Sequence, residues 1–301
     1  MGYHFWKRQL FKYLQKNVIG EINMKKLVLT GAAGRLGSYL REPLSQMCDE
    51  LISTDLSDDI GSTYSGERYV KGDLANFDEV NAIMDGANMI IHFGALSDED
   101  SFDNILNSNI IGSYNVWEAA ARNKVDRVIY ASSIHAVGMY PKNQQIGINV
   151  PHKPDTFYGL AKCFAEDLAS LYWDKKQIEA VCLRILSCAK VTSSRALGSW
   201  LSYDDLILLV KRSIDTPTTG FSVIYGVSNN DRNPVDNSEA SHLGFKPKDN
   251  AEIFAKDILE KSEKVIKNDR TQIYHGGPFS AIDLGESGKA IMQIVDDKKV
   301  N

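Results

Sequence analysis

Short β-rich apolar runs alternate with helical stretches along most of this chain, and no other feature restricts the fold as strongly. The runs fall at 25–31, 50–55, 68–73, 89–95, 126–132, 178–186 and 221–227. Between them, apolar residues recur at helical spacing from about Arg35, over 76–86, and over 102–122, where Phe102, Ile105, Leu106, Ile110, Tyr114, Val116 and Trp117 share the pattern. Further helices are expected at 155–176, 203–215 and 250–267. Strands that alternate with helices pair through crossovers, which predicts an α/β fold: a parallel sheet covered by helices on both faces. Beyond residue 186 the alternation loosens. Turn-rich pieces such as SNNDRNPVDNS there indicate a small C-terminal lobe on the substrate side.

The turn after the first strand reads LVLTGAAGRLG, with glycines at 31, 34 and 37. Glycines permit a tight turn and let the backbone approach a pyrophosphate at a helix N-terminus. A glycine-rich turn alone often merely closes a loop. Here it follows the first strand, opens a helix, and is followed 18 residues after Gly37 by Asp55, at the end of the second strand. An acidic residue at that place accepts hydrogen bonds from the adenosine ribose and repels a 2'-phosphate, so a Rossmann-type doubly wound sheet that takes NAD rather than NADP is expected. Arg35, inside the turn, is the one feature that argues for NADP. Asp73, in the GDL that closes the third strand, either contacts the adenine edge or caps a turn.

FYGLAK (157–162) sets Tyr158 one helical turn before Lys162. At i, i+4 both lie on one helix face, and a nearby ammonium favours phenolate, which makes Tyr158 a candidate general base. The bland alternative is an amphipathic helix with a half-buried Tyr and a solvated Lys. A net charge of −5 in 301 residues gives no electrostatic support for nucleic-acid binding. No apolar run approaches the ~18 residues of a membrane span. Cys48, Cys163, Cys182 and Cys188 have no C-x-x-C spacing and read as reduced thiols of a cytoplasmic protein. No His/Cys/Asp/Glu cluster has metal-ligand spacing, so no metal is expected.

Taken as a set, these marks resemble the extended short-chain dehydrogenase/reductase superfamily. They are T-G-x-x-G-x-x-G at 30–37, Asp55, GDL at 72–74, HFGA at 92–95, Asn109 in NIIGSYNV, Ser133 in YASSIHAVG, and Y-x-x-x-K at 158–162. The resemblance implies that Tyr158 is the acid/base, that Lys162 lowers its pKa and binds the nicotinamide ribose, and that Ser133 bonds the reacting oxygen. Asn109 would maintain its helix and a proton-relay water. Gly31, Gly34, Arg35, Leu36, Gly37, Asp55, Asp73, Leu74, Phe93, Gly94, Ala95, Tyr158, Lys162 and Ile185 would line the cofactor. Sugar-nucleotide epimerases and dehydratases usually carry R-Y-F-N…Y-G-P after the sixth strand. RILSCAKVTSSRALGSWLSYDD (184–205) lacks that Asn and the Gly-Pro. The chain is instead similar to the uronate dehydrogenase family, also in NIIGSYNVWEAA, SSIHAVGMYP, YGLAKCFAEDLASLYWDK and SHLGFKPKDNAE.

That likeness implies oxidation of D-glucuronate or D-galacturonate at C1 to the aldarolactone, with reduction of NAD. Ser97, Ser133, Ile134, His135, Ser187 and Arg195 would line the substrate pocket. The position of Ile134 is commonly Asn, LSC replaces a usual GSC, the loop before Arg195 is one residue shorter, and NDRNPVDNS lacks paired aromatics. A sugar-nucleotide epimerase or dehydratase with tightly bound NAD is the alternative enzyme; a non-catalytic NAD-binding module is the alternative outside enzymes.

Several residues admit two readings. His135 touches substrate hydroxyls or bonds backbone as a loop histidine. His92 reads as a core histidine, and Asp98, Glu99 and Asp100 as a solvated loop. Ser97 lines the pocket or caps a helix, and Ser187 lies near the nicotinamide or caps a turn. Arg195 grips a carboxylate or pairs with Asp204 or Asp205. Trp117 and Trp173 belong to the core or to a dimer interface formed by helices 102–122 and 155–176. The expected organisation is a basic amphipathic extension (1–23), an NAD-binding domain with the catalytic residues (24–190), a mainly substrate-side lobe (191–285) and a polar tail (286–301). A homodimer or higher homo-oligomer is the expected assembly.

Overall fold

The strands bury both faces, as parallel strands between helix layers must. In the computed structural model, which describes residues 26–261 and 268–287, β1 (Lys26–Thr30), β2 (Glu50–Asp55), β3 (Glu67–Lys71), β4 (Met89–His92), β5 (Arg127–Tyr130), β6 (Glu179–Ile185) and β7 (Phe221–Gly226) form one sheet. Its order is β3-β2-β1-β4-β5-β6-β7, and every pairing is parallel. Leu27, Leu29, Leu51, Ile91, Ile129, Val181 and Leu183 point to one face. There they meet Leu40 and Leu44 of α1 (Arg35–Ser45) and Leu206, Leu209 and Val210 of α7 (Tyr203–Asp215). Val28, Ile52, Ile90, Val128, Ala180 and Cys182 point to the other. They pack on α2 (Phe77–Ile83), α4 (Gly112–Arg122) and α5 (Phe157–Lys176). This period of two makes each strand serve two cores at once.

The helix expected over 102–122 is continuous but not uniform. α3 (Phe102–Ile105) passes through a π-helical segment, Leu106–Ile111, into α4. Such segments mark places where a helix is widened to aim a side chain, and this one carries Asn109. Trp117 is fully buried and lies 5.8 Å from the Tyr172 ring, which makes it a core residue. Trp173 is partly buried beside Gly220.

Two elements beyond residue 190 complete the layers: β7 extends the sheet, and α7 covers it. Arg127, fully buried at the start of β5, donates to the Ser213 and Ile214 carbonyls at 2.8 and 2.9 Å, which ties the end of α7 to the sheet. The other C-terminal pieces are α6 (Ala196–Ser199), α8 (Ala255–Lys261), α9 (Arg270–Ile273) and 3-10 turns at Ser238–Leu243, Ala251–Phe254 and Gly277–Ser280. Isolated bridges Pro141–Tyr274, Ile146–Val235 and Ser187–Trp200 join this region to the loops after β5 and β6. The amphipathic extension, the end of the helix expected to reach 267, and the tail beyond 287 lie outside the described residues. Among the described residues no helix is long and apolar enough to cross a membrane.

Candidate active site

The strand order reverses between β1 and β4, so a crevice opens outside their carboxyl ends. The glycine turn sits there. Gly31 has φ +74°, and a Cβ on it would lie 2.6 Å from the Gly94 nitrogen. A Cβ on Gly37 would come within 2.0 Å of the Gly31 carbonyl oxygen. Only hydrogen fits at either place, and this lets the turn close on the loop after β4. Gly34 is the N-cap of α1 and supplies no side-chain cap, which leaves first-turn N–H groups for a ligand. Asp55 accepts from the Ala33 and Ser57 amides at 3.0 and 3.2 Å, so its carboxylate is fixed beside the turn.

Arg35 Nη1 is buried without a hydrogen-bond partner. An orphaned guanidinium donor at this turn fits a group that brings acceptors, such as the phosphates of a dinucleotide. Leu36 and Phe93 are partly buried against one core, and Leu74 against the other. Leu74 also approaches Gly94, whose nitrogen donates to Thr30 Oγ1 at 3.0 Å. Ala95 and Ser97 are exposed at the rim. Asp73 Oδ1 accepts from the Ala75 amide at 2.8 Å, closing the turn after β3.

Thr156 caps α5, its hydroxyl accepting from the Gly159 amide at 3.0 Å. Tyr158 and Lys162 then lie one turn apart, both buried. Lys162 Nζ donates to the Ala131 carbonyl at 2.7 Å and stands 5.2 Å from the centre of the Tyr158 ring. Burial pushes the Tyr158 phenol up to about 12; the Ser133 hydroxyl pulls the other way, and Asp155 and Asp98 add to the rise. Burial also pushes Lys162 down to about 7. Desolvation is the largest influence on the phenol.

Ser133 is bridged to Ile185 and accepts from the His135 amide at 3.3 Å. Asn109 spends both ends of its amide on Leu96, accepting from its nitrogen at 2.9 Å and donating to its oxygen at 3.0 Å. It thereby fixes the loop between Ala95 and Ser97. Ile134 is buried in an apolar cluster with Val137, Leu186 and Tyr225. Ser187 bridges Trp200, and its carbonyl accepts from the Leu201 amide at 2.7 Å. His92 is a core histidine: Thr30 Oγ1 lies 2.8 Å from Nδ1, and burial pushes its pKa down to about 3.

Arg195 is partly buried, and its Nη2 donates to the His275 carbonyl at 2.7 Å. It does not pair with Asp205, which accepts from Ser228 and from the Lys248 and Asp249 amides. Arg195 and Ile134 line a cavity of about 280 Å³, together with Lys142, Leu186 and His275. Lys190 is exposed and is not part of that lining.

Two residues of the expected solvated loop are instead part of the site, and Asp155, Thr156 and Phe279 join them. Glu99 is fully buried, not solvated: its carboxylate accepts from the Phe157, Tyr158 and Gly285 amides at 3.1, 2.8 and 2.9 Å. Asp98 is buried as well. The acidic run is drawn inward because the first turn of α5 presents unpaired N–H groups. Asp155 Oδ2 lies 2.8 Å from His135 Nδ1, in a slot where a Cβ on Gly138 or Gly276 would collide with it. His135 stacks on Phe279 at 4.0 Å. Thr156, a hydroxyl two residues before Tyr158, is the local signal of where α5 begins.

A sheet that reserves its switch point for a dinucleotide, and buries a serine, a tyrosine and a lysine beside it, is built to move a hydride between a nicotinamide and a carbon–oxygen centre. The fold and site thus define an extended short-chain dehydrogenase/reductase. The chain belongs to the NAD dependent epimerase/dehydratase family, whose profile matches residues 27–189. It is 42% identical over 257 residues to a uronate dehydrogenase of Agrobacterium fabrum, covering 85% of this chain and 97% of that one. Identity to the uronate dehydrogenase of Pseudomonas putida is 41% over 256 residues, 85% and 95% of the two chains. A mutant of Agrobacterium tumefaciens uronate dehydrogenase, solved in complex with NAD, has a TM-score of 0.83 at 41% identity, covering 86% of this chain and 98% of that one.

Proposed function

We infer that this protein catalyses the NAD-dependent oxidation of a uronic acid, D-glucuronate or D-galacturonate, at C1 to the aldarolactone. The observation that carries the reading is the cation-lined cavity around Arg195, whose lining includes Ile134, the residue next to the buried Ser133. Bound NAD supplies the acceptor for the hydride that leaves C1. Tyr158 takes the proton of the C1 hydroxyl, and the C1–O bond becomes the lactone carbonyl. Ser133 bonds that same oxygen and holds it at the phenol. Lys162, in its protonated form, favours the phenolate in which Tyr158 accepts that proton, and Asn109 holds the loop that bears Ala95 and Ser97. Asp55 bonds the adenosine ribose and disfavours a 2'-phosphate. Arg195 grips the sugar carboxylate, with Ser97, His135 and Ser187 toward the hydroxyls.

The segments from 191 to 285 serve mainly the substrate side and those from 24 to 190 the cofactor. The exposed Tyr114, Leu160, Phe164 and Leu171 on α4 and α5 support a homodimer formed through these helices. The four free thiols support a reducing, cytoplasmic setting. NADH formation across uronates, neutral aldoses and UDP-sugars tests the activity. Stoichiometric NADH from a free uronate is expected. Turnover of a UDP-sugar without net NADH would replace this reading with a bound-cofactor epimerase.

A further inference from the structure

Arg195 does not face its cavity alone. Lys142 lines the same space, with Arg232 and His275. Its backbone is anchored: the Lys142 amide donates to the Ile273 carbonyl at 2.7 Å, and the neighbouring Pro141 bridges Tyr274. The segment it is tied to provides His275, whose carbonyl holds Arg195. Lys142 and Arg195 are therefore braced by one short stretch of chain.

The charges around the cavity are unbalanced. Arg232 is matched by Glu252, which accepts from it at 2.9 and 3.0 Å. His275 Nε2 donates to the Gln144 carbonyl at 2.9 Å, and burial with the two neighbouring cations pushes its pKa down, which leaves it neutral. Among the described residues no carboxylate forms an ion pair with Lys142 or with Arg195. Asp155, whose charge acts on Arg195 through space, is bonded to His135. Burial and the charge of Arg195 both push Lys142 down, so the two cations repel each other in a partly desolvated space. A carboxylate placed between them reverses that repulsion and supplies acceptors to both.

We propose that Lys142 is a specificity-determining residue that shares the substrate carboxylate with Arg195. This rests on the uronate reading above and extends it. A guanidinium grips a carboxylate in its plane, and an ammonium adds a point charge from another direction, so the two act together without competing for one geometry. Neutral aldoses present a hydroxymethyl group there and gain little from either cation.

The test compares Lys142→Met and Lys142→Arg with Arg195→Met and the unchanged protein. KM and kcat are measured with NAD for D-glucuronate and D-galacturonate and for the matching aldoses. Lys142→Met is expected to raise the uronate KM by about tenfold or more, since a charge-assisted hydrogen bond is lost. The expected kcat stays within about twofold, because the interaction is made equally in the ground and transition states. Aldose kcat/KM should fall far less than the uronate value, and Lys142→Arg should recover most of the uronate affinity. An unchanged uronate KM overturns the proposal, as does an equal loss on uronates and aldoses. If the unchanged protein makes no NADH from uronates, the activity reading itself fails. If Arg195→Met alone loses preference for acids, only the assignment of Lys142 fails.

Discussion

Replacing Glu99 with alanine would remove a fully buried carboxylate that three backbone amides share. Two of them, Phe157 and Tyr158, open α5, and the third, Gly285, comes from the far end of the described chain. A hydrogen bond to a charged acceptor contributes about 1.5–3 kcal/mol, and an orphaned buried donor costs a similar amount. The three do not simply add, because water and small shifts recover part of the loss; a destabilisation of roughly 3–5 kcal/mol is expected. Glu99→Gln keeps one acceptor oxygen and should cost about 1–2 kcal/mol. Urea unfolding of both variants measures this. Because the Tyr158 amide is one of the three donors, kcat of Glu99→Ala should also fall under conditions where the variant remains folded. If Glu99→Ala unfolds within about 1 kcal/mol of the unchanged protein, the carboxylate does not hold the helix start and the reasoning fails.

Tyr158→Phe keeps the ring in its buried slot and removes the ionisable oxygen, so turnover should drop by about 10²-fold or more with NAD binding largely retained; near-normal turnover would remove Tyr158 from the chemistry. Asp55→Ala should weaken NAD binding and narrow the preference over NADP, read as kcat/KM with each cofactor. The buried network around Glu166 sets a pH window for stability. His152 and Arg184 bond Glu166 and, despite its burial, pull it from 4.5 down to about 2. That contribution is complete above pH 4.5 and is lost as pH falls through the folded value. Glu166 raises His152 above 6.5, so the histidine's contribution is present below 6.5 and is lost as pH rises through the raised folded value. Unfolding free energies from acid to alkaline pH should fall at both ends; His152→Ala should flatten the alkaline side and, because His152 helps hold Glu166 down, should also shrink the acid side, where Arg184 still acts.

The cofactor half of the molecule is legible because its signals are local. Seven strands are announced by short apolar runs, and the glycine turn and Asp55 lie within one strand–helix–strand unit. Tyr158 and Lys162 share a single helix face, so their spacing alone sets them together. The same local reading fails where an environment comes from distant chain. Glu99 stands in a run of three acidic residues that looks solvated, and its partners are 58, 59 and 186 residues away. The pKa of Tyr158 cannot be read from the lysine one turn on, because burial is a property of the packed site. The substrate side is harder still. Lys142, Arg195 and His275 come from three separated loops, joined by one isolated bridge and a few backbone bonds. No periodicity connects them, and each alone reads as a surface residue. The marks that specify hydride transfer and those that choose the sugar are thus carried by different kinds of structure. The catalytic set is held by the sheet and α5, whereas the cations sit on loops whose residues can change without disturbing either core. It follows that substrate preference within this fold should move with substitutions such as Lys142→Met while Tyr158, Lys162 and Ser133 keep their geometry.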